Sequence, residues 1–218
     1  MRVSRRIVRR NLACRFALVL VGAGLLLSGC VSIKRTPGAR FFVLRSLVEA
    51  KASPESIEGA IGLLPVCVPG ALDRPQLVTW AAPNELRLDE LQRWAEPLAE
   101  GVTRTLAENL SALLPRDRIL RTPWPAAASP RCRVAVELRV FGPQPNGEVR
   151  LEASFDLLAP KEERVLVRRT LRSSQKPAAA GTGASVDAMS TLVADLAGQI
   201  AEAVDDQSIE SAQGPVCP

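Results

Sequence analysis

The chain has 218 residues, with 28 Lys and Arg against 23 Asp and Glu, a formal charge of +5, and no His or Tyr. Without His it lacks the commonest general base and the commonest zinc ligand, which argues against a catalytic or metal-binding protein. The length allows one domain with a real core. Aromatic residues are only 4% of the chain, too few for base stacking.

Residues 1–15 are basic, holding Arg2, Arg5, Arg6, Arg9, Arg10 and Arg15 and no acid; residues 16–27 are apolar; Ser28-Gly29-Cys30 follows. This is the layout of an export signal. The apolar run has 27 − 15 = 12 residues, short of the ~20 that a transmembrane helix needs. Leu27-Ser28-Gly29-Cys30 resembles the bacterial lipobox: the small residues admit the signal peptidase, and the Cys30 thiol accepts the diacylglyceryl group. Residues 1–29 are therefore expected to be a signal peptide, and residues 30–40 a lipidated tether holding the chain to the membrane through its acyl chains. Position 31 is Val and not Asp, so Asp-retention sorting sends a Gram-negative lipoprotein of this kind to the periplasmic face of the outer membrane.

Removing the signal peptide takes six Arg with it, leaving 28 − 6 = 22 basic residues against 23 acids, a charge of −1. The basic excess belongs to the leader, so no lasting basic footprint for nucleic acid remains. Cys30, Cys67, Cys132 and Cys217 stay, at separations that match no metal cluster. A Cys67–Cys132 bridge suits an oxidising periplasm; the alternative is two small buried apolar side chains.

In chain order, Phe41-Phe42-Val43-Leu44 is a short strand signal and 48–59 reads as a loop. Residues 61–68 form a second apolar run, placed at or near a sheet edge because Pro65 and Pro69 cannot donate to a ladder. Gln76 to Trp80 is a strand behind a Pro turn. Residues 90–114 read as the strongest helix, with Pro97 in the first turn of its main part and a stripe of Leu98, Val102, Leu106, Leu110 and Leu113. Residues 119–121 suggest a short strand. Three alternating runs then form a meander: 132–140, 149–157 and 165–172, with Asn146-Gly147 in the first turn. Ser185 caps a second helix whose stripe is Met189, Leu192, Leu196, Ile200 and Val204. Residues 205–218 read as a flexible polar tail. The expectation is one α+β domain over 41–204, a mostly antiparallel sheet with two helices packed on one face.

The lipobox, Phe41-Phe42-Val43-Leu44, Leu72-Asp73-Arg74-Pro75-Gln76, Glu90-x-x-Arg93-Trp94-Ala95-Glu96-Pro97-Leu98 and Leu106-Ala107-Glu108-Asn109-Leu110 resemble, in order and spacing, the PqiC-like or ABC-type transport auxiliary lipoproteins. The family usually has Tyr where this chain has Phe41 and Phe42. The resemblance implies a non-enzymatic subunit of a lipid-transport system between the two membranes. Its partners would be an MCE-domain periplasmic protein, which forms the conduit, and that protein's inner-membrane component. It also implies a homo-oligomer; the residue pattern itself calls for no cofactor or metal. The other readings are an envelope lipoprotein with a structural or assembly role unrelated to transport, and a hydrolase using Ser or Cys; no Gly-x-Ser-x-Gly elbow is present.

Two clusters are candidate partner or oligomer contacts. Asp73, Arg74 and Gln76 lie on a Pro-braced turn, either as a docking loop or as an Asp–Arg pair that shapes the turn. Arg93, Trp94 and Glu96 are anchor-type residues, with Trp94 alternatively fastening the start of the helix to the sheet. Asn109, beside the helix stripe, is read as structural.

Overall fold

The computed structural model describes residues 38–49, 59–115, 117–125, 127–161 and 164–212, with side chains described to Gln207. The export signal and Cys30 lie outside the described residues.

Eight strands and two helices are described. They are β1 Arg40–Phe42, β2 Gly59–Leu63, β3 Gln76–Ala82, β4 Glu85–Trp94, α1 Leu98–Leu113, β5 Asp117–Arg121, β6 Cys132–Pro143, β7 Val149–Leu158, β8 Val165–Gln175 and α2 Thr182–Ala212. They form a three-stranded sheet, β1-β4-β3, and a five-stranded sheet, β5-β2-β6-β7-β8.

The α+β class is as expected, but the sheets are mixed and not mostly antiparallel. The β6-β7-β8 meander is antiparallel. In contrast, β2 runs parallel to both of its neighbours, β5 and β6, and β1 runs parallel to β4. Parallel neighbours need a long crossover. The β3–β4 hairpin and α1 supply it between β2 and β5. Alternation marks a strand and says nothing of its direction, so periodicity had no access to this feature. The strand expected over 61–68 spans 59–63 and lies one in from the edge; Pro65 and Pro69 fall beyond its end.

The helix expected over 90–114 starts at Leu98. Residues up to Trp94 belong to β4, and Pro97, with φ −52° and ψ 136°, is the N-cap. The residue before a proline is disfavoured in the α region, so the helix cannot extend back through Glu96. Leu98, Val102, Leu106 and Leu110 are buried; Leu113 is only partly buried, and Leu114 takes its place in the core. All five stripe residues of α2 are buried. This helix runs eight residues past Val204 to Ala212, into the segment expected to be a tail.

One face of the five-stranded sheet is apolar. Val134, Val136, Leu138, Leu151, Ala153, Phe155 and Leu157 are all buried. α2 packs against β6, β7 and β8, and α1 packs against α2 and β5. The small sheet meets the large one where β3 approaches β6. Gly142 has φ +145°, and a Cβ there would lie 3.1 Å from the Val78 carbonyl oxygen. Glycine is therefore required both by the backbone and by the close approach. The opposite face of the large sheet is polar. Asp156 takes two hydrogen bonds from Arg168, at 2.7 and 2.6 Å, and Glu152 pairs with Arg150 and Arg172.

Candidate functional site

The two predicted clusters meet at one corner of the small sheet. Gln76 is in register with Arg93, and the Trp94 amide donates to the Pro75 carbonyl at 2.8 Å. Phe41 is also in register with Arg93, so Phe41, Arg93 and Gln76 form one row across β1, β4 and β3. Phe42 and Trp94 form the next row, which faces the opposite way because strand side chains alternate. Phe41 and Phe42 thus part company. Phe42 packs against the core, with the Arg40 guanidinium 5.2 Å above its ring, while Phe41 is 65% exposed.

Within the clusters the residues have different work. Asp73 and Arg74 are exposed. They sit on a turn closed by the Leu72 and Asp73 amides donating to the Pro69 carbonyl and by the Arg74 amide donating to the Leu72 carbonyl. Backbone bonds therefore shape the turn; no Asp73–Arg74 ion pair is found among the described residues. The Gln76 amide donates to both Glu90 oxygens, at 3.2 and 3.1 Å. Trp94 is only 7% exposed, which places it in the core where β4 gives way to α1.

Glu96 accepts from Arg104 at 2.6 Å, and Arg104 also donates to Glu108 at 3.1 Å and to the Leu44 carbonyl at 2.9 Å. Chiefly because of the Glu96 bond, Arg104 is held charged, its pKa raised above the ordinary guanidinium value. Asn109 is fully buried. Its Oδ1 accepts from Ser46 Oγ at 2.7 Å and from the Leu47 and Val48 amides at 3.2 and 3.3 Å. Asn109 is the acceptor in all three bonds, which gives it the structural role expected. The Arg45 amide donates to Ser190 Oγ, and the Arg45 guanidinium pairs with Asp187. The segment after β1 is thus a strap fixed to both helices. Neither Arg104 nor Ser190 stood out in the sequence, because their partners lie 60 and 145 residues away.

Two clefts lie elsewhere. One, of about 780 Å³, opens between Trp80, Pro83, Val140, Pro145, Arg150 and Arg172; Trp80 Nε1 is buried there without a partner among the described residues. The other, of about 730 Å³, lies between α1 and the segment after β5, beside Trp124. Trp124 covers Gly62, where a Cβ would lie 2.7 Å from the ring.

Cys67 and Cys132 are both free. Cys67 is bridged to Glu137, whereas Cys132 is opposite Ile61. Five strand residues separate the two positions, about 16 Å at ~3.3 Å per residue, beyond the ~7 Å Cα limit of a disulfide. Cys132 is buried, and burial raises its thiol pKa; Cys67 is exposed. Among the described residues no group of three His, Cys, Asp or Glu is placed to hold a metal ion, and no helix is long and apolar enough to cross a membrane.

These features define an α+β domain that presents one sheet face and one braced turn at the corner where its N-terminal strap enters. The chain belongs to the family described as the ABC-type transport auxiliary lipoprotein component, whose model matches residues 42–201. It is therefore a transport-associated lipoprotein of the cell envelope, lipid-anchored and partnered with a transport system. The fold is similar to that of a solved protein from Xanthomonas campestris, with a TM-score of 0.67, 14% identity and coverage of 80% of this chain and 99% of that one. It is also similar to a solved uncharacterized protein, with a TM-score of 0.65, 18% identity and coverage of 77% and 99%. At these identities the likeness is one of fold. No curated protein matches the sequence.

Proposed function

We propose that this chain is the non-enzymatic lipoprotein subunit of an MCE-type intermembrane lipid transport system. Anchored at the periplasmic face of the outer membrane through acylated Cys30, it docks the end of the periplasmic conduit, acting as a homo-oligomer. The observation that carries the reading is the family match over 42–201, joined to a lipobox that lies N-terminal to the matched residues. The Asp73-Arg74 turn is the docking element. It is exposed, and backbone bonds hold its shape, so a partner has only the two side chains to order and not the backbone. The Trp94 amide holds the turn from behind through the Pro75 carbonyl, and Arg93, in register with Gln76, lies beside it.

Two experiments test this. A photocrosslinking residue at Arg74 in intact cells yields an adduct with an MCE-domain protein encoded beside this chain's gene. Adducts only with envelope proteins unconnected with transport sink the reading. Cys30→Ala leaves an unprocessed precursor without acyl chains, whereas release of mature soluble protein removes the anchoring step.

A further inference from the structure

We propose that the exposed apolar patch of Phe41 and Leu91 on the outer face of the three-stranded sheet, with Val43 just beyond the end of β1 and Arg93 within the patch, seats the domain on the bilayer that holds its lipid anchor. The face is apolar where a free surface has no need to be: Phe41 is 65% exposed, Val43 52% and Leu91 37%. Register puts them together. Phe41 is opposite Arg93, and Leu91 lies two residues before Arg93 on β4, so alternation sends these three side chains to one side; Val43 is exposed directly beyond the end of β1.

Chain length says what covers this face. Phe41 follows Cys30 by 41 − 30 = 11 residues, which span at most about 40 Å when extended. β1 is also the first element that the tether reaches, so this is the part of the domain delivered first to the headgroup layer. Charge agrees. Residues 31–40 contain Lys34, Arg35 and Arg40 and no acid, and Arg93 sits within the face. Basic groups around an apolar patch suit anionic headgroups over acyl chains. A second copy of the chain is less well served: β1 offers an edge of only three residues. The inference rests on lipid anchoring and not on docking of the conduit, so the domain would sit with the Asp73-Arg74 turn at the rim of its membrane contact.

The test uses the full-length acylated chain in vesicles of phosphatidylethanolamine with phosphatidylglycerol. A benzoylphenylalanine is placed at 41, at 43, or, as a control, at exposed Arg139 on the polar face of the large sheet. All three positions are exposed or on a polar face, so the fold tolerates the probe. Irradiation is expected to add the mass of one phospholipid at 41 and 43, with that adduct lost at 139. Crosslinked dimers at 41 and 43, or lipid adducts no stronger there than at 139, overturn the proposal. The intact mass reports N-terminal acylation separately, so failure of the anchor and failure of the docking face are told apart.

Discussion

The Arg104 guanidinium lies 2.6 Å from the Glu96 carboxylate, and the same group donates to the Leu44 carbonyl at 2.9 Å. One side chain therefore joins the start of α1 to the strap that follows β1. Arg104→Ala removes both bonds and leaves Glu96 without its cation. A loss of about 1–3 kcal/mol is expected, read as a lower urea midpoint with an unchanged slope. Glu96→Gln keeps a neutral acceptor and should cost less. Equal stability of Arg104→Ala and the parent chain would contradict the strap.

Asn109 supplies one oxygen to three donors of residues 46–48. Asn109→Leu leaves those donors facing apolar surface, and a loss of about 2–3 kcal/mol is expected. Hydrogen exchange at the Leu47 and Val48 amides should rise in the same variant. A stability loss with those amides still protected would mean that packing, and not the hydrogen bonds, is responsible.

On the polar face of the large sheet, hydrogen bonding from Arg168 holds the Asp156 pKa below the ordinary carboxylate value. A depressed folded pKa adds stability above the unfolded value of about 3.9, and that stability is lost as pH falls through the lower folded value. Asp156→Asn should therefore be less stable than the parent at neutral pH, and the difference should shrink to nothing in acid. Arg168 is 68% exposed, so solvent and salt screen the pair and the effect is small. A difference that persists unchanged in acid would rule out the ion pair as its source.

The two described thiols should separate cleanly on labelling. In the native protein maleimide reacts at exposed Cys67, while buried Cys132 reacts only after unfolding, because the thiolate is the nucleophile and burial disfavours it. Peptide mapping that recovers a Cys67–Cys132 disulfide would contradict the register of β2 and β6.

Much of the domain was legible in the sequence where one periodicity governs. The alternation in 132–140 and 149–157, and the stripe from Met189 to Val204, gave the meander and α2 because each buries a single face. What escaped depends on partners distant in sequence. The parallel pairing of β2 with β5 and β6 is decided by a crossover and not by residue type. Residues 90–94 contain apolar Leu91 and Trp94 at helical spacing, yet their bonds go to β1 and β3, and Pro97 bars the helix from reaching back. Of the site, Trp94 and Glu96 stood out by residue type, which marks an anchor without saying whether it faces inward or outward. Phe41 was visible as an aromatic, but only its register with Arg93 shows that it points away from the core.

The proposed role in an MCE-type transport system depends on the Asp73-Arg74 turn. The most direct measurement is affinity purification of the acylated chain from envelope membranes, with bound proteins identified by mass spectrometry. Recovery of an MCE-domain protein is predicted, with that recovery lost when Asp73→Lys and Arg74→Glu are combined and the chain remains folded and membrane-bound. Purification of the acylated, folded parent chain without any MCE-domain protein would contradict that role.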